Sequence, residues 1–226
     1  MTRIKAALIH LTISIIVIGL FIGIVFFIWY PKPLYSIAEV IEPLKLLVLI
    51  DVVVGPMLTF IVFSKKKSLK SLRIDLSLIA LLQISALSYG IYSIYNGRSS
   101  IIVFAEGRFH YLIEKFSNEE QLNSPELETS FLSKPKLSYV PKLNTMDIYS
   151  TYAYMLPLTD FNILKPYALS VENIKAKFKS KTDEIDLLVS LYPEDDIVFL
   201  TLDRDMSLNY IVFSKKRNEI IDELKF

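Results

Sequence analysis

Residues Leu44 to Phe63 read LKLLVLIDVVVGPMLTFIVF. A lipid-spanning helix needs about 20 mostly apolar residues, so this run is long enough to cross a bilayer. Inside it stand a carboxylate, Asp51, and the pair Gly55-Pro56. A carboxylate within a span costs about 3 kcal/mol or more unless it faces a protein partner or water. Pro56 has no N–H, and its ring pushes against the carbonyl four residues back, so in α-helical register the Val52 carbonyl loses its partner. The expectation is an acid and a freed carbonyl side by side at membrane depth. Such a spot suits contact with another helix or an ion.

The chain around this run has two characters. Its 226 residues are 52% hydrophobic yet 22% charged, with a mean hydropathy of +0.41, which reads as a membrane part joined to a soluble part. Residues 1–96 hold 9 of the 25 Lys and Arg and 4 of the 24 Asp and Glu, so the overall +1 conceals a basic first part and a mildly acidic remainder. That balance argues against a nucleic-acid surface. The absence of cysteine excludes disulfides, thiol catalysis and zinc-thiolate sites, and two histidines exclude a histidine-rich metal centre.

Two further apolar runs flank the first. Ala6 to Tyr30 carries no charge and exceeds the roughly 7 to 15 apolar residues of a signal peptide. It ends in Trp29-Tyr30-Pro31, read as an interfacial aromatic belt followed by a helix stop. Leu76 to Tyr95 holds one amide, Gln83, and ends before Asn96-Gly97. The expected organisation is three transmembrane helices, about residues 6–30, 44–63 and 76–95, followed by a small α+β extracytoplasmic domain over 97–226. Arg3 and Lys5, with Lys65, Lys66, Lys67, Lys70 and Arg73 between the second and third spans, place both segments in the cytoplasm by the positive-inside rule. The carboxyl-terminal domain then lies outside, in the periplasm if the cell is bacterial.

Within that domain, Ile101 to Ala105 and Arg108 to Ile113 read as a strand pair, or as one bent strand, around Glu106-Gly107. Asn118 to Gln121 reads as a helix start, and Asn123 to Asn144, with three prolines, as irregular. Met146 to Leu156 is ambiguous. Ser170 to Leu191 has helical spacing with a polar middle. Ile197 to Leu202 and Tyr210 to Phe213 read as a hairpin, with a third strand or a closing helix through Leu224. The acidic cluster Glu194, Asp195, Asp196, Asp203 and Asp205 lacks the ligand spacing of a calcium loop and reads as solvated turns.

Gly19 and Gly23 in the first span, and Ala86 and Gly90 in the third, set small residues one turn apart, a pattern that permits close helix approach. At about 1.5 Å per residue, Asp51 falls level with Gly23 and with Ser88 to Tyr92, while His10 and Gln83 fall nearer the cytoplasmic side. Three readings of Asp51 stay open: a structural acid satisfied by Ser88 or a tyrosine hydroxyl, a partner contact, or the ionisable group of a membrane enzyme or transporter subunit. No nucleophile-and-base motif or phosphate loop appears, and the chain reads as a non-enzyme without a cofactor.

Several stretches together carry a resemblance: Arg3, Lys5 and Ala6 with His10 and Ser14; WYPKPL at 29–34; DVVVGPMLT at 51–59; Lys67 to Leu69 with Asp75-Leu76; and Gln83 through Ala86-Leu87 to Tyr89-Gly90. In these the chain resembles type IV pilin accessory proteins of the TfpX/TfpZ type. The resemblance implies an inner-membrane, non-enzymatic factor for pilin stability and pilus assembly, with pilin, and the assembly machinery beside it, as partner. On that footing the expected partner-binding residues are Asp51, Gly55, Pro56, Gly19, Gly23, Gln83, Ser88 and Gly90.

Overall fold

The computed structural model describes residues 2–64, 66–111, 124–141, 155–204 and 207–224. The expected helix start at Asn118 to Gln121 and most of Met146 to Leu156 lie outside them. The chain divides into two compact units, Met1–Ile28 with Ala38–Gly97, and Trp29–Ile37 with Arg98–Phe226.

The first unit is helical. Helix α1 spans Arg3–Ile24, its first turn capped by the Thr2 side chain, which accepts from the Lys5 N–H. It runs on through a π-helical turn, Val25–Trp29. After the short α2, Leu34–Ile37, a second long helix is built from α3, Ile41–Val48, a π-helical stretch, Leu49–Val54, and α4, Gly55–Val62. It begins three residues before the expected Leu44. Pro43 sits in its first turn, where backbone N–H groups have no intrahelical acceptor, so proline there costs no hydrogen bond. Helix α5, Leu69–Asn96, is capped by Ser68 accepting from the Ser71 N–H. Arg3–Trp29, Ile41–Val62 and Leu69–Asn96 are each long and apolar enough to cross a membrane. Exposed apolar side chains such as Leu20, Ile61 and Leu81 line the outer faces of these helices.

The second unit is built on a seven-stranded sheet in the order β4-β3-β1-β2-β5-β6-β7. Strands β1, Ile101–Ala105, and β2, Arg108–Tyr111, form the expected hairpin. Glu106 and Gly107, with φ of 50° and 79°, make its two-residue turn; positive φ at both positions suits the right-handed twist of the flanking strands. β3, Lys136–Tyr139, lies in the proline-rich stretch read as irregular. It runs parallel to β1, pairing Ile101 to Phe104 with Lys136 to Tyr139, and β4, Leu156–Pro157, closes that edge. Long-range pairing with β1, which local pattern does not encode, makes β3 a strand. The helical stretch after Ser170 is two helices, α6, Val171–Lys177, and α7, Thr182–Val189, broken at its polar middle. β5, Ile197–Arg204, β6, Ser207–Ser214, and β7, Glu219–Leu224, form an antiparallel meander. The final segment is therefore a strand, which the alternative closing helix is not.

Alternation along β1 and β5 divides the sheet's two faces. One carries Ile197, Phe199, Tyr210, Val212, Ile221 and Leu224 against Ile174 of α6 and Ile185 of α7, continued by Ile101, Val103 and Ala105 against Leu127 and Met155. The other carries aromatic rings in contact, Phe104 on Phe109 at 5.1 Å, and Phe213 between Phe109 at 6.1 Å and Phe161 at 6.2 Å. Trp29 and Tyr30 are buried in this unit, 1% and 2% exposed, and do not form an exposed belt. The Trp29 Nε1–H donates to the Phe131 carbonyl at 2.7 Å, and the buried Arg98 lies over the Trp29 ring while donating to the carbonyls of Ser130 and Phe131. Lys32 pairs with Asp222 at 2.9 Å, and Tyr192 donates to the same carboxylate.

Of the acidic cluster, Asp196 is buried and fixes the β6–β7 turn, accepting from the Ser214 hydroxyl at 2.8 Å and the Lys216 N–H at 2.7 Å. Burial pushes its pKa up, but the Lys216 amide, the Ser214 hydroxyl and the charges of Lys216 and Lys215 outweigh it and hold the group below the ordinary 3.8. A carboxylate depressed by folding stabilises above its unfolded pKa and loses that contribution as pH falls through its folded value. Stability of the sheet unit should therefore drop as pH falls below about 4, and Asp196→Asn should flatten that slope in urea denaturation followed by β-sheet circular dichroism. In the same measurement at neutral pH, Phe199→Ala should cost about 3–5 kcal/mol and Ile185→Ala about 2–5 kcal/mol, as fully buried large-to-small changes do.

Candidate functional site

The polar residues of the helical unit gather at the π-helical stretch around Asp51. Gly55 N–H donates to the Ile50 carbonyl, five residues back. In that register the N–H that Pro56 lacks falls opposite the Asp51 carbonyl, one residue before the Val52 carbonyl expected from an α-helix. Gln83 of α5 fills the vacancy, its Nε2–H donating to the Asp51 carbonyl at 3.3 Å and to Asp51 Oδ1 at 3.4 Å. Asp51 is 5% exposed and Gln83 9%. Both bonds are at the long end of the hydrogen-bonding range, and Asp51 Oδ2 is buried with no hydrogen-bond partner.

Gln83 stands where Ser88 was expected, and Ser88 is exposed on α5. The early helix start accounts for part of that shift. With the second helix beginning at Ile41, Asp51 lies ten residues from that end, one turn deeper than a start at Leu44 implies. His10, expected at another level from Asp51, bonds through Nδ1 to the Thr59 hydroxyl at 2.6 Å. Thr59 is buried on α4 two turns beyond Asp51. Asp51, His10, Thr59, Gln83 and Ser14 all line one groove of about 420 Å³, whose remaining walls are apolar side chains of α1 and α5.

The small residues divide. A Cβ on Gly55 would collide with the Gln83 side-chain amide, and one on Gly90 with a Leu47 methyl group. At these two positions an added side chain would push aside the Gln83 amide or the Leu47 methyl group that now fills the space. Gly19 and Gly23 have nothing within 4 Å of a Cβ, so the close approach expected of that pair is not made among the described residues. Pro56 is buried beside Gly55. Sequence reading did not place Ser14 in the site or find the His10–Thr59 bond; the i, i+4 spacing of His10 and Ser14, which sets them on one face of α1, was a signal for the first and not for the second.

In the sheet unit, His110 is held half-buried on β2 with Nε2 at 3.3 Å from the Ala105 carbonyl. Burial lowers its pKa against the opposing pull of that carbonyl and of Asp203. Among the described residues no group of three His, Cys, Asp or Glu side chains converges as a metal site.

Three long apolar helices packed about a buried carboxylate, joined to a separate sheet unit, define a helical-bundle-plus-sheet protein whose polar chemistry lies inside the bundle. Residues 1–39 match the family described as "Fimbrial assembly protein FimB". Curated relatives from Dichelobacter nodosus include "Fimbrial assembly protein, serogroups C1 and C2", 43% identical over 100 residues, which cover 44% of this chain and 76% of that protein. The serogroup I protein is 42% identical over 108 residues, covering 48% of this chain. The serogroup E1 protein is 42% identical over 100 residues. The matched part spans 42% of the serogroup I protein and 39% of the E1 protein, less than half the length of either. No solved structure matches. The chain belongs to the fimbrial assembly protein family.

If Gln83 is the group that satisfies Asp51, Gly55→Ala and Gln83→Leu should act through the same bonds. Each should lower the thermal stability of the detergent-solubilised helices by about 1–2 kcal/mol, and the double variant should cost little more than either alone, as groups in one network do. A thermal-denaturation cycle of the four proteins measures it.

Proposed function

We propose that this chain is an inner-membrane accessory factor for type IV pilin, of the TfpX/TfpZ kind, that holds the pilin before assembly without acting on it as an enzyme. The three long helices cross the membrane with the amino terminus and the basic segment Lys65 to Arg73 in the cytoplasm, and the sheet unit lies in the periplasm. The helices take the pilin's apolar stem and the sheet unit takes its soluble head, two weak contacts made strong by being linked. The observation that carries the reading is the kinship with fimbrial assembly proteins at 43% identity over three quarters of one relative's length. The buried polar spot at Asp51, with Gly55, Pro56 and Gln83 around it, supports the first contact, since polar groups at membrane depth are retained where they meet a partner; Gly90, against Leu47 on the same pair of helices, is assigned to the same face. Gly19, Gly23 and Ser88 belong to the same proposed surface from the outer side. Gly19 and Ser88 are exposed and Gly23 is half-buried with open space beside it, which leaves them available to it.

A strain lacking the chain should show a several-fold drop in steady-state pilin and in surface fimbriae, restored by the wild-type chain. Alkaline phosphatase fused after Phe226 should be active. Unchanged pilin half-life and fimbriation in the deletion strain overturn the reading, and a fusion active only as a cytoplasmic reporter overturns its topology.

A further inference from the structure

Resting on the reading that the helices hold a pilin in the membrane, we propose that the groove among α1, α4 and α5 seats one apolar helix of that partner, which brings an N–H or ammonium donor to Asp51 Oδ2. The oxygen is the reason. It lies on a side chain 5% exposed and has no partner, while Gln83 reaches only Oδ1 and the carbonyl. A buried carboxylate oxygen without a donor is costly, and such atoms are rare in folded proteins. His10, the basic side chain in the groove, engages Thr59 through Nδ1.

The groove's shape narrows the occupant. Its walls run from Ala6 to Ile18 on α1 and from Leu76 to Leu87 on α5, which at about 1.5 Å per residue is roughly 18 Å, three helical turns. A lipid acyl chain fits the apolar length, but it has no donor to offer at this depth. A single ion would satisfy the oxygen and leave the apolar length uncovered. A membrane-crossing helix with one donor-bearing side chain or terminus meets both demands, and the negative site selects a positive or hydrogen-donating group.

The test places a photoreactive residue at Ile13 or Leu87 in the groove and, as controls, at Ile61 or Leu81 on outward faces, in full-length chain expressed in fimbriated cells. Capture is compared with Asp51 intact, Asp51→Asn and Asp51→Leu, at equal membrane levels of chain. The expected result is pilin captured from Ile13 and Leu87, with the crosslinked peptide an apolar segment carrying a donor. Yield should fall two- to fivefold with Asp51→Asn, which keeps an acceptor and the shape, and tenfold or more with Asp51→Leu. Equal yields from groove and control positions, yields indifferent to both Asp51 variants, or capture of lipid or a second copy alone overturn the inference. No pilin captured from Ile13 or Leu87, in cells whose pilin level still depends on the chain, overturns it too and leaves the accessory-factor reading standing. A donor-bearing helix of some other identified protein in the groove, dependent on Asp51, upholds the groove's chemistry and overturns the pilin reading.

Discussion

The helical unit depends on one constraint: a proline in the middle of an apolar helix leaves a carbonyl that has to be satisfied away from water. Here the hydrogen bonds reach back five residues instead of four over Leu49–Val54, and the orphan becomes the Asp51 carbonyl. An amide from α5 answers it. Because the same amide reaches the Asp51 side chain, a single glutamine ties backbone defect and buried acid together, and Gly55 must remain without a side chain for that amide to arrive. The small residue, the proline, the acid and the glutamine are one device distributed over two helices.

Much of this was legible from residue types alone. Three apolar runs of bilayer length gave three helices, and Asp51 beside Gly55-Pro56 marked the polar spot. What sequence could not show was the register. Counting in α-helical steps chose the Val52 carbonyl, and starting the helix after Pro43 chose Ser88 as the facing residue. Both errors come from one source, local backbone geometry that departs from 3.6 residues per turn or begins a turn early, and neither departure has a signature in hydropathy. In the sheet unit the hairpin at Glu106-Gly107 was readable because two residues of positive φ write their own code. β3 was not, because its strand character comes from β1, some 30 residues earlier. Trp29 and Tyr30 read as belt residues from position and chemistry. The burial of Trp29 depends on Arg98 and Phe131, which are distant in the chain.

The two units divide the labour of stability differently. The sheet unit buries its apolar side chains against its own helices on one face and its own aromatic rings on the other, so the hydrophobic effect in water drives it. The helical unit leaves broad apolar faces outward, and its internal cohesion rests on close approach at Gly55 and Gly90 and on a few hydrogen bonds. That is the balance expected where surrounding solvent is itself apolar and only packing and polar contacts discriminate one helix neighbour from another.

The seam between β2 and β5 has a temporal consequence. Two residue pairs, Phe109 with Leu202 and His110 with Asp203, join the strands across it, and they are separated by more than 90 positions in sequence. The β5–β7 meander closes through short reversals, whereas the seam closes a long loop and pays its entropy before any pairing rewards it. As the polypeptide emerges from the ribosome, β1 and β2 wait with an open edge until β5 is synthesised. For that interval the nascent chain carries a sticky strand border, the one that β5 covers in the folded unit.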